Sequence, residues 1–309
     1  MGGPARLLFQ PPARHLHDPQ IIVKSVVKML DELENRYSRY IDNSLVSQIN
    51  KRSGTGIHTP IDAETRGLLD FCDQLHRESG GLFDPTAGVL NKVWDFKRSD
   101  ATRLLNVDDL LPLVGWGKVR IDEKGVSLTQ PNSQLDLGGI VKEYAADKVA
   151  HMLREMGVER GMVELAGDIA TVGAKTDQQA WQVGISDPHS PQRAVLSIDL
   201  TNACLATSGT SQRFIEIDGQ RYSHFLNPTT GQPVKGSFSV SVVADSCLIA
   251  GSIATVACLM GTDQATPWLE SSGLPWLIID NANLSGPIAN QHAYQKSRVA
   301  PQQSGPNPQ

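Results

Sequence analysis

Leu135-Asp136-Leu137-Gly138-Gly139-Ile140-Val141-Lys142-Glu143-Tyr144 runs from an apolar strand end, through a double glycine, into an amphipathic helix. Two adjacent glycines let the backbone approach a ligand closely. The helix that follows points its free N–H groups and positive dipole end at whatever sits there. Such a corner can hold a phosphate or a diphosphate. The same residues also suit a plain tight turn, so the stretch alone leaves both readings open.

Working outward from this corner, the helix is expected over 140–156 with Gly157 as its stop. Residues 19–37 carry Ile22, Val26, Val27, Leu30 and Leu33 on one helical face, with Asp18 as N-cap and Pro19 at the first helical position. A second helix over 62–77 buries Leu68, Leu69, Cys72 and Leu75 and closes at Gly80-Gly81. Phe83-Asp84-Pro85-Thr86-Ala87-Gly88 is turn-rich and leads to Trp94. Alternation predicts a hairpin over 119–128, strands at 160–165, 168–173, 180–186 and 195–200, and a hairpin over 213–225 turned by Asp218-Gly219. A strand over 237–244 precedes a helix over 246–260 that spaces Ala250, Ala254 and Ala257. Sequential, hairpin-linked strands and separate helices predict an α+β protein rather than a doubly wound parallel sheet. Residues 1–295 read as one domain, followed by a Pro-, Gln- and Ser-rich tail over 296–309 expected to be disordered. No G-x-G-x-x-G or Walker loop is present, which sets aside those nucleotide-binding designs.

The chain has 309 residues, 40% of them hydrophobic and 20% charged, in keeping with a globular protein. A net charge of −5 without a basic face argues against nucleic acid as a partner. The four cysteines, Cys72, Cys204, Cys247 and Cys258, form no C-x-x-C pair and no zinc spacing. Cys247 and Cys258 read as buried thiols, and the even count permits disulfides without requiring them. No apolar run is long enough for a transmembrane segment, and Leu7-Leu8-Phe9 is too short for an export signal. As written, the chain is expected in the cytoplasm.

His224, at a strand end before Asn227-Pro228-Thr229-Thr230-Gly231, places an imidazole at a sheet rim, where it serves either proton transfer or a loop carbonyl. The other seven histidines read as surface residues. Asp84, Asp136 and Asp168 each sit beside a glycine or proline turn and either cap their own loops or face a ligand. Thr255 either bonds back to the preceding turn or offers a hydroxyl to a hard cation such as Mg²⁺. Ala206-Thr207-Ser208-Gly209 reads as a small-residue segment before a strand, lining a pocket or making a tight turn.

Taken in order, these segments resemble the FAD:protein FMN transferases, formerly called the thiamine-biosynthesis lipoprotein family. The resemblance runs from Met1-Gly2-Gly3 to about Gly261. It passes through Ser38-Arg39-Tyr40, Ser44, Asn50, Gly81 to Thr86, the glycine corner, Tyr144 to Asp147, and Ala166-Gly167-Asp168-Ile169. Trp181 to Ile185, Ala206 to Gly209, the His224 segment and Val243-Ala244-Asp245-Ser246 complete it. It implies a T-fold-like α+β architecture with mainly antiparallel sheets, and Mg²⁺-dependent transfer of FMN from FAD to a Ser or Thr hydroxyl of an acceptor flavoprotein subunit, with AMP leaving. FAD is then a substrate. The Gly139 carbonyl and the Thr255 side chain would be metal ligands, with Met1, Asp84, Thr86 and Lys142 along FAD and His224 near the reacting centre.

The chain departs from the family pattern in three places. An aspartate usually stands four residues before the helical threonine, whereas this chain reads Ala250-Gly251-Ser252. Losing that carboxylate weakens Mg²⁺ binding unless Asp245 or Ser252 compensates, and neither occupies the same place on the helix. Lys142-Glu143 stands where Lys-Gly is commoner, narrowing the approach to the diphosphate. The usual export signal and lipid-anchoring cysteine are absent from the sequence as written, and an upstream start would place the protein on the periplasmic side. The resemblance therefore leaves three functions: flavin transfer, FAD binding without turnover, and hydrolysis of FAD to FMN and AMP.

Overall fold

The computed structural model describes residues 3–12, 18–94, 96, 106–177, 179–188, 190–210, 213–217, 220–280 and 283–290. Met1, the turn residues Asp218-Gly219 and the tail from 296 lie outside them. The chain opens with β1 (Ala5–Phe9), then α1 (Pro19–Tyr37), α2 (Leu45–Lys51) and α3 (Ala63–Glu78). A 3-10 turn over Pro85–Lys92 and the short α4 (Val107–Leu110) lead to the hairpin of β2 (Val119–Asp122) and β3 (Gly125–Leu128). Next come α5 (Val141–Glu155), β4 (Gly161–Leu165), β5 (Asp168–Val172), β6 (Trp181–Asp187), β7 (Ser190–Leu200) and β8 (Cys204–Gly209). A small sheet of β9 (Phe214–Ile217), β10 (Gln220–Leu226) and β11 (Pro233–Lys235) precedes β12 (Phe238–Ala244). The described chain ends with α6 (Cys247–Met260), α7 (Thr262–Ser271), β13 (Trp276–Asp280), β14 (Asn283–Ser285) and a 3-10 turn.

Seven strands form the main sheet in the order β1-β4-β5-β8-β12-β13-β14, paired antiparallel throughout. The α+β expectation holds. In β5 and β12 every residue is buried, which requires both faces of the sheet to be covered. Alternation divides the two faces. Ala170 and Val172 join the core under the helices, as do Ala206, Val240 and Val242. Ile169, Leu205, Val243, Leu277 and Ile279 pack on Val183, Ile185, Ile198 and Leu200 of the β6–β7 hairpin.

The Asp18 cap acts as expected, and Asp62, expected as the first residue of the second helix, caps it instead. Asp18 accepts from the Gln20 N–H and Asp62 from the Thr65 N–H, and Leu68, Leu69, Cys72 and Leu75 are buried. The stripe on α1 is Ile22, Val26, Met29, Leu33 and Tyr37; Val27, expected on that face, points to solvent. A larger departure concerns Ala206 to Gly209. They are not a turn before a strand but the second half of β8, between β5 and β12. Their small side chains let α6 lie close, where Ala250, Ala254 and Ala257 are fully buried.

Helices α5 and α6 lie side by side and antiparallel. The Asp147 carboxylate on α5 accepts from Ser246 Oγ at 2.6 Å, the Cys247 N–H at 2.7 Å and the Leu248 N–H at 2.9 Å, capping α6 from a neighbouring helix. Asp147→Ala strands those donors, and a lost cap of this kind costs about 2 kcal/mol or somewhat more. A urea melt is expected to show a lower midpoint with an unchanged slope.

Candidate functional site

Leu135, Leu137 and Ile140 are buried almost completely and anchor the glycine corner in the core, each apolar burial contributing about 2 kcal/mol. The Asn50 side chain clamps the strand end, donating to the Leu135 carbonyl at 3.0 Å and accepting from its N–H at 2.7 Å. Asp136 organises the turn: its Oδ1 accepts from the Gly138 N–H at 2.8 Å, and its Oδ2 lies 2.9 Å from Arg39 Nε. Gly138 and Gly139 let the turn pass close to its neighbours. A Cβ on Gly139 would lie 3.3 Å from Phe83, and one on Gly138 would lie 3.0 Å from Asp136 Oδ1. Helix α5 then starts at Val141 without a side-chain cap. Among the described residues no backbone N–H donates to the Gly139 carbonyl, while those of Leu137 and Ile140 on either side are used.

Asp84 and Thr86 stand next to this corner, because the Asp136 N–H bonds the Pro85 carbonyl at 2.8 Å. Their polar atoms are engaged within the protein. Asp84 accepts from the Thr86 N–H and hydroxyl through Oδ1 and from the Trp116 N–H through Oδ2; Thr86 Oγ1 accepts from the Gly115 N–H at 2.7 Å. Both side chains thus pin the Gly115–Trp116 loop to the 3-10 turn. His76 lies beneath them, its Nδ1 2.9 Å from the Phe83 carbonyl. It and His58, 3.1 Å from Asp122, are half-buried rather than surface histidines, each beside a carboxylate.

Lys142, on the first turn of α5, forms an ion pair with Asp168 at the start of β5 and another with Glu143 Oε1 at 3.2 Å. Asp168 lies on the helix-facing side of its strand, and its Oδ1 accepts from the Thr207 N–H of β8. Burial pushes the Glu143 carboxyl up, against the pull of Lys142. On α6, Thr255 does not bond back into its own helix but meets Ser208 of β8, hydroxyl to hydroxyl, at 3.1 Å. The space at Gly251, where the sequence lacks a carboxylate, is taken by a residue other than Asp245 or Ser252. Glu143 fills it, its Cγ lying where a Cβ on Gly251 would have to stand.

His224 lies on β10 of the small sheet, where the neighbouring Phe225 packs against the core under α6. Its Nδ1 is 3.1 Å from the Arg213 carbonyl, and its ring packs on Phe225 and against the edge of Phe96. A carbonyl only accepts, so Nδ1 carries the proton and Nε2 keeps its lone pair. Burial, helped by the Arg213 charge, lowers the imidazole to about 4 despite that hydrogen bond. Sequence reasoning found His224 through its turn but missed Arg39, which bridges Asp136 and the Gly88 carbonyl. It also missed Glu143 as an occupant of the site. The signal was available: two departures from the family pattern in one chain, a gained Glu and a lost Asp.

A Mg²⁺ ion, implied by the resemblance, fits this donor set. The Gly139 carbonyl, the Thr255 and Ser208 hydroxyls and a buried carboxylate oxygen without a hydrogen-bond partner are all hard oxygen donors. Asp147, Cys204 and Cys247 also cluster, but they are poor ligands. The carboxylate is committed to capping α6, and the Cys204 hydrogen bond and burial push the Cys247 thiol up.

A family model described as the ApbE family matches residues 1–278. The FAD:protein FMN transferase of Klebsiella pneumoniae (strain 342) is 31% identical over 254 residues, 80% of this chain and 76% of that protein. That of Vibrio cholerae is 29% identical over 268 residues, 85% and 80% of the two chains. Two solved structures have the same fold. The ApbE protein of Thermotoga maritima gives a TM-score of 0.80 at 25% identity, covering 92% of this chain and 97% of that one. The flavin transferase ApbE from Vibrio cholerae gives 0.79 at 25% identity with the same coverage.

The His224 environment has a direct signature. The folded chain holds the imidazole neutral down to about 4, whereas an unfolded chain protonates it near 6.5. Between those values the unfolded state binds more protons, so this residue's effect on stability is unfavourable and grows as pH falls from about 6.5 towards 4. Histidine NMR is expected to show the His224 ring unchanged from pH 7 to about 5, and titration near the ordinary value would contradict its burial.

Proposed function

The chain belongs to the ApbE family, and we propose that it transfers FMN from FAD to a Ser or Thr hydroxyl of a partner protein, with Mg²⁺ bound and AMP released. What supports this reading is the pairing of α5 with α6: Lys142 at the glycine corner holds Asp168, and Glu143 beside it meets Gly251, one turn from Thr255 and its Ser208 partner. The α5 N-terminus and Lys142 would oppose negative charge on diphosphate oxygens. Asp84 and Thr86 act by fixing the loop beside the corner, and Met1 would complete the FAD site from the N-terminal segment. The next described residues already run beside the site, the Ala166 N–H, two residues before Asp168, donating to the Pro4 carbonyl at 2.9 Å.

His224 Nε2 would take the proton of the acceptor hydroxyl as its oxygen attacks the phosphorus of the FMN half. The bond from that phosphorus to the bridging oxygen breaks, and AMP leaves with that oxygen. A bound Mg²⁺ would supply Lewis-acid stabilisation of the phosphoryl oxygens, held by the Gly139 carbonyl and the Thr255 hydroxyl. The acceptor is a flavoprotein subunit presenting a Ser or Thr. No described helix is long and apolar enough to cross a membrane.

The test mixes the chain with FAD, Mg²⁺ and a protein carrying an acceptor threonine, and reads covalent flavin by in-gel fluorescence and AMP by chromatography. A working relative serves as control; an unlabelled acceptor beside a labelled control rejects the reading. AMP formed equally without any acceptor would instead identify hydrolysis. His224→Ala is expected to lower the transfer rate by about 10²–10⁴-fold with little change in the KM for FAD.

A further inference from the structure

Helix α5 brings a carboxylate to the place where α6 lacks one. A Cβ built on Gly251 would meet Glu143 Cγ at 2.4 Å, Cδ at 3.2 Å and Oε1 at 3.3 Å. The Glu143 side chain therefore takes the volume that any side chain at 251 would need. Glu143 is 6% exposed, and its Oε2 has no hydrogen-bond partner among the described residues. Lys142, which neighbours its other oxygen, is shared with the buried Asp168, so two carboxylates face one ammonium. Ionised together, the two would leave one negative charge without a counter-charge in a water-poor site, which a bound cation would relieve.

The surrounding donors define which cation. Thr255 lies one helical turn beyond Gly251 on the same face of α6, with Ser208 at its hydroxyl. Ser252 Oγ is buried with no partner among the described residues, and the Gly139 carbonyl begins the turn into α5. All are oxygens, which suit a hard divalent ion such as Mg²⁺ and not a thiolate- or imidazole-seeking one.

We infer that Glu143 is the anionic ligand of this divalent-cation site, delivered from α5 in place of a carboxylate at residue 251 on α6. The choice of Mg²⁺ as the physiological ion rests on the flavin-transfer reading; the ligand assignment rests on the contact with Gly251. The two departures Glu143 and Gly251 become one exchange. Glycine at 251 makes room for Glu143, and a side chain at 251 would expel it. The charge contributed to the site is the same, and only the helix carrying it differs.

Mn²⁺ binding to the full-length protein, followed by electron paramagnetic resonance, tests the assignment without any turnover. Wild type is expected to bind Mn²⁺ saturably, and Glu143→Gln to weaken it by roughly tenfold or more. The exchange variant, Glu143→Gly combined with Gly251→Asp, is expected to regain affinity to within a few-fold of wild type. Wild-type affinity in Glu143→Gln, or no saturable Mn²⁺ site in wild type, overturns the assignment. Should Glu143→Gln fail to fold, the exchange variant decides: restored binding supports the inference and lost binding overturns it. FAD cleavage assayed alongside separates the two proposals. A metal site that needs Glu143 in a chain without flavin transfer would sink the function and leave the ligand, and active transfer with metal affinity indifferent to Glu143 would do the reverse.

Discussion

The contact between α5 and α6 is the constraint on which the site depends. Asp147 accepts the first free donors of α6, and one turn back along α5 Glu143 enters the space beside Gly251. These two contacts fix both the register and the antiparallel direction of the helices. Residues 142 and 143 on one helix and 251 and 255 on the other become neighbours, although they are more than a hundred positions apart in sequence. Neither helix could do this alone, because an isolated helix cannot hold a partner at a chosen turn.

The sheet beneath supplies the remaining polar groups by alternation. Asp168 and Ser208 take the helix-facing positions of β5 and β8, and Thr207 lies between them on the other face, bonded to Ser241. A slip of one residue in either strand would turn the carboxylate or the hydroxyl away from α5 and α6. The fully buried apolar residues of both faces oppose such a slip, so the same packing that stabilises the domain also sets the geometry of its chemistry.

The loops follow a different logic. Asp84, Thr86, Asn50, Asp136 and Arg39 bond mainly to backbone groups and to one another, turning irregular segments into fixed walls around the glycine corner. Such groups act by holding others in place; a wall that gives by an ångström misplaces whatever it supports. His224 stands on the small sheet, which is tied to the rest by Trp94, stacked on Tyr222 and donating to the Gly231 carbonyl, and by Phe225, which packs against the core under α6.

Much of this was readable from the chain alone. Local signals acting within a few residues, such as the cap at Asp18, the glycine stop at 157 and the alternation of 237–244, gave the elements and the α+β class. The ordered segments gave the family. Sequence reading misplaced Ala206 to Gly209, whose small side chains make sense only once α6 lies over them, and it passed over β1, α7, β13 and β14. It marked Gly251 as a loss and Glu143 as an obstruction. Only the folded chain made them one feature, because whether a missing carboxylate is replaced depends on which side chain enters the space it vacates. That is settled by how two helices pack, and no spacing along one strand of sequence records it.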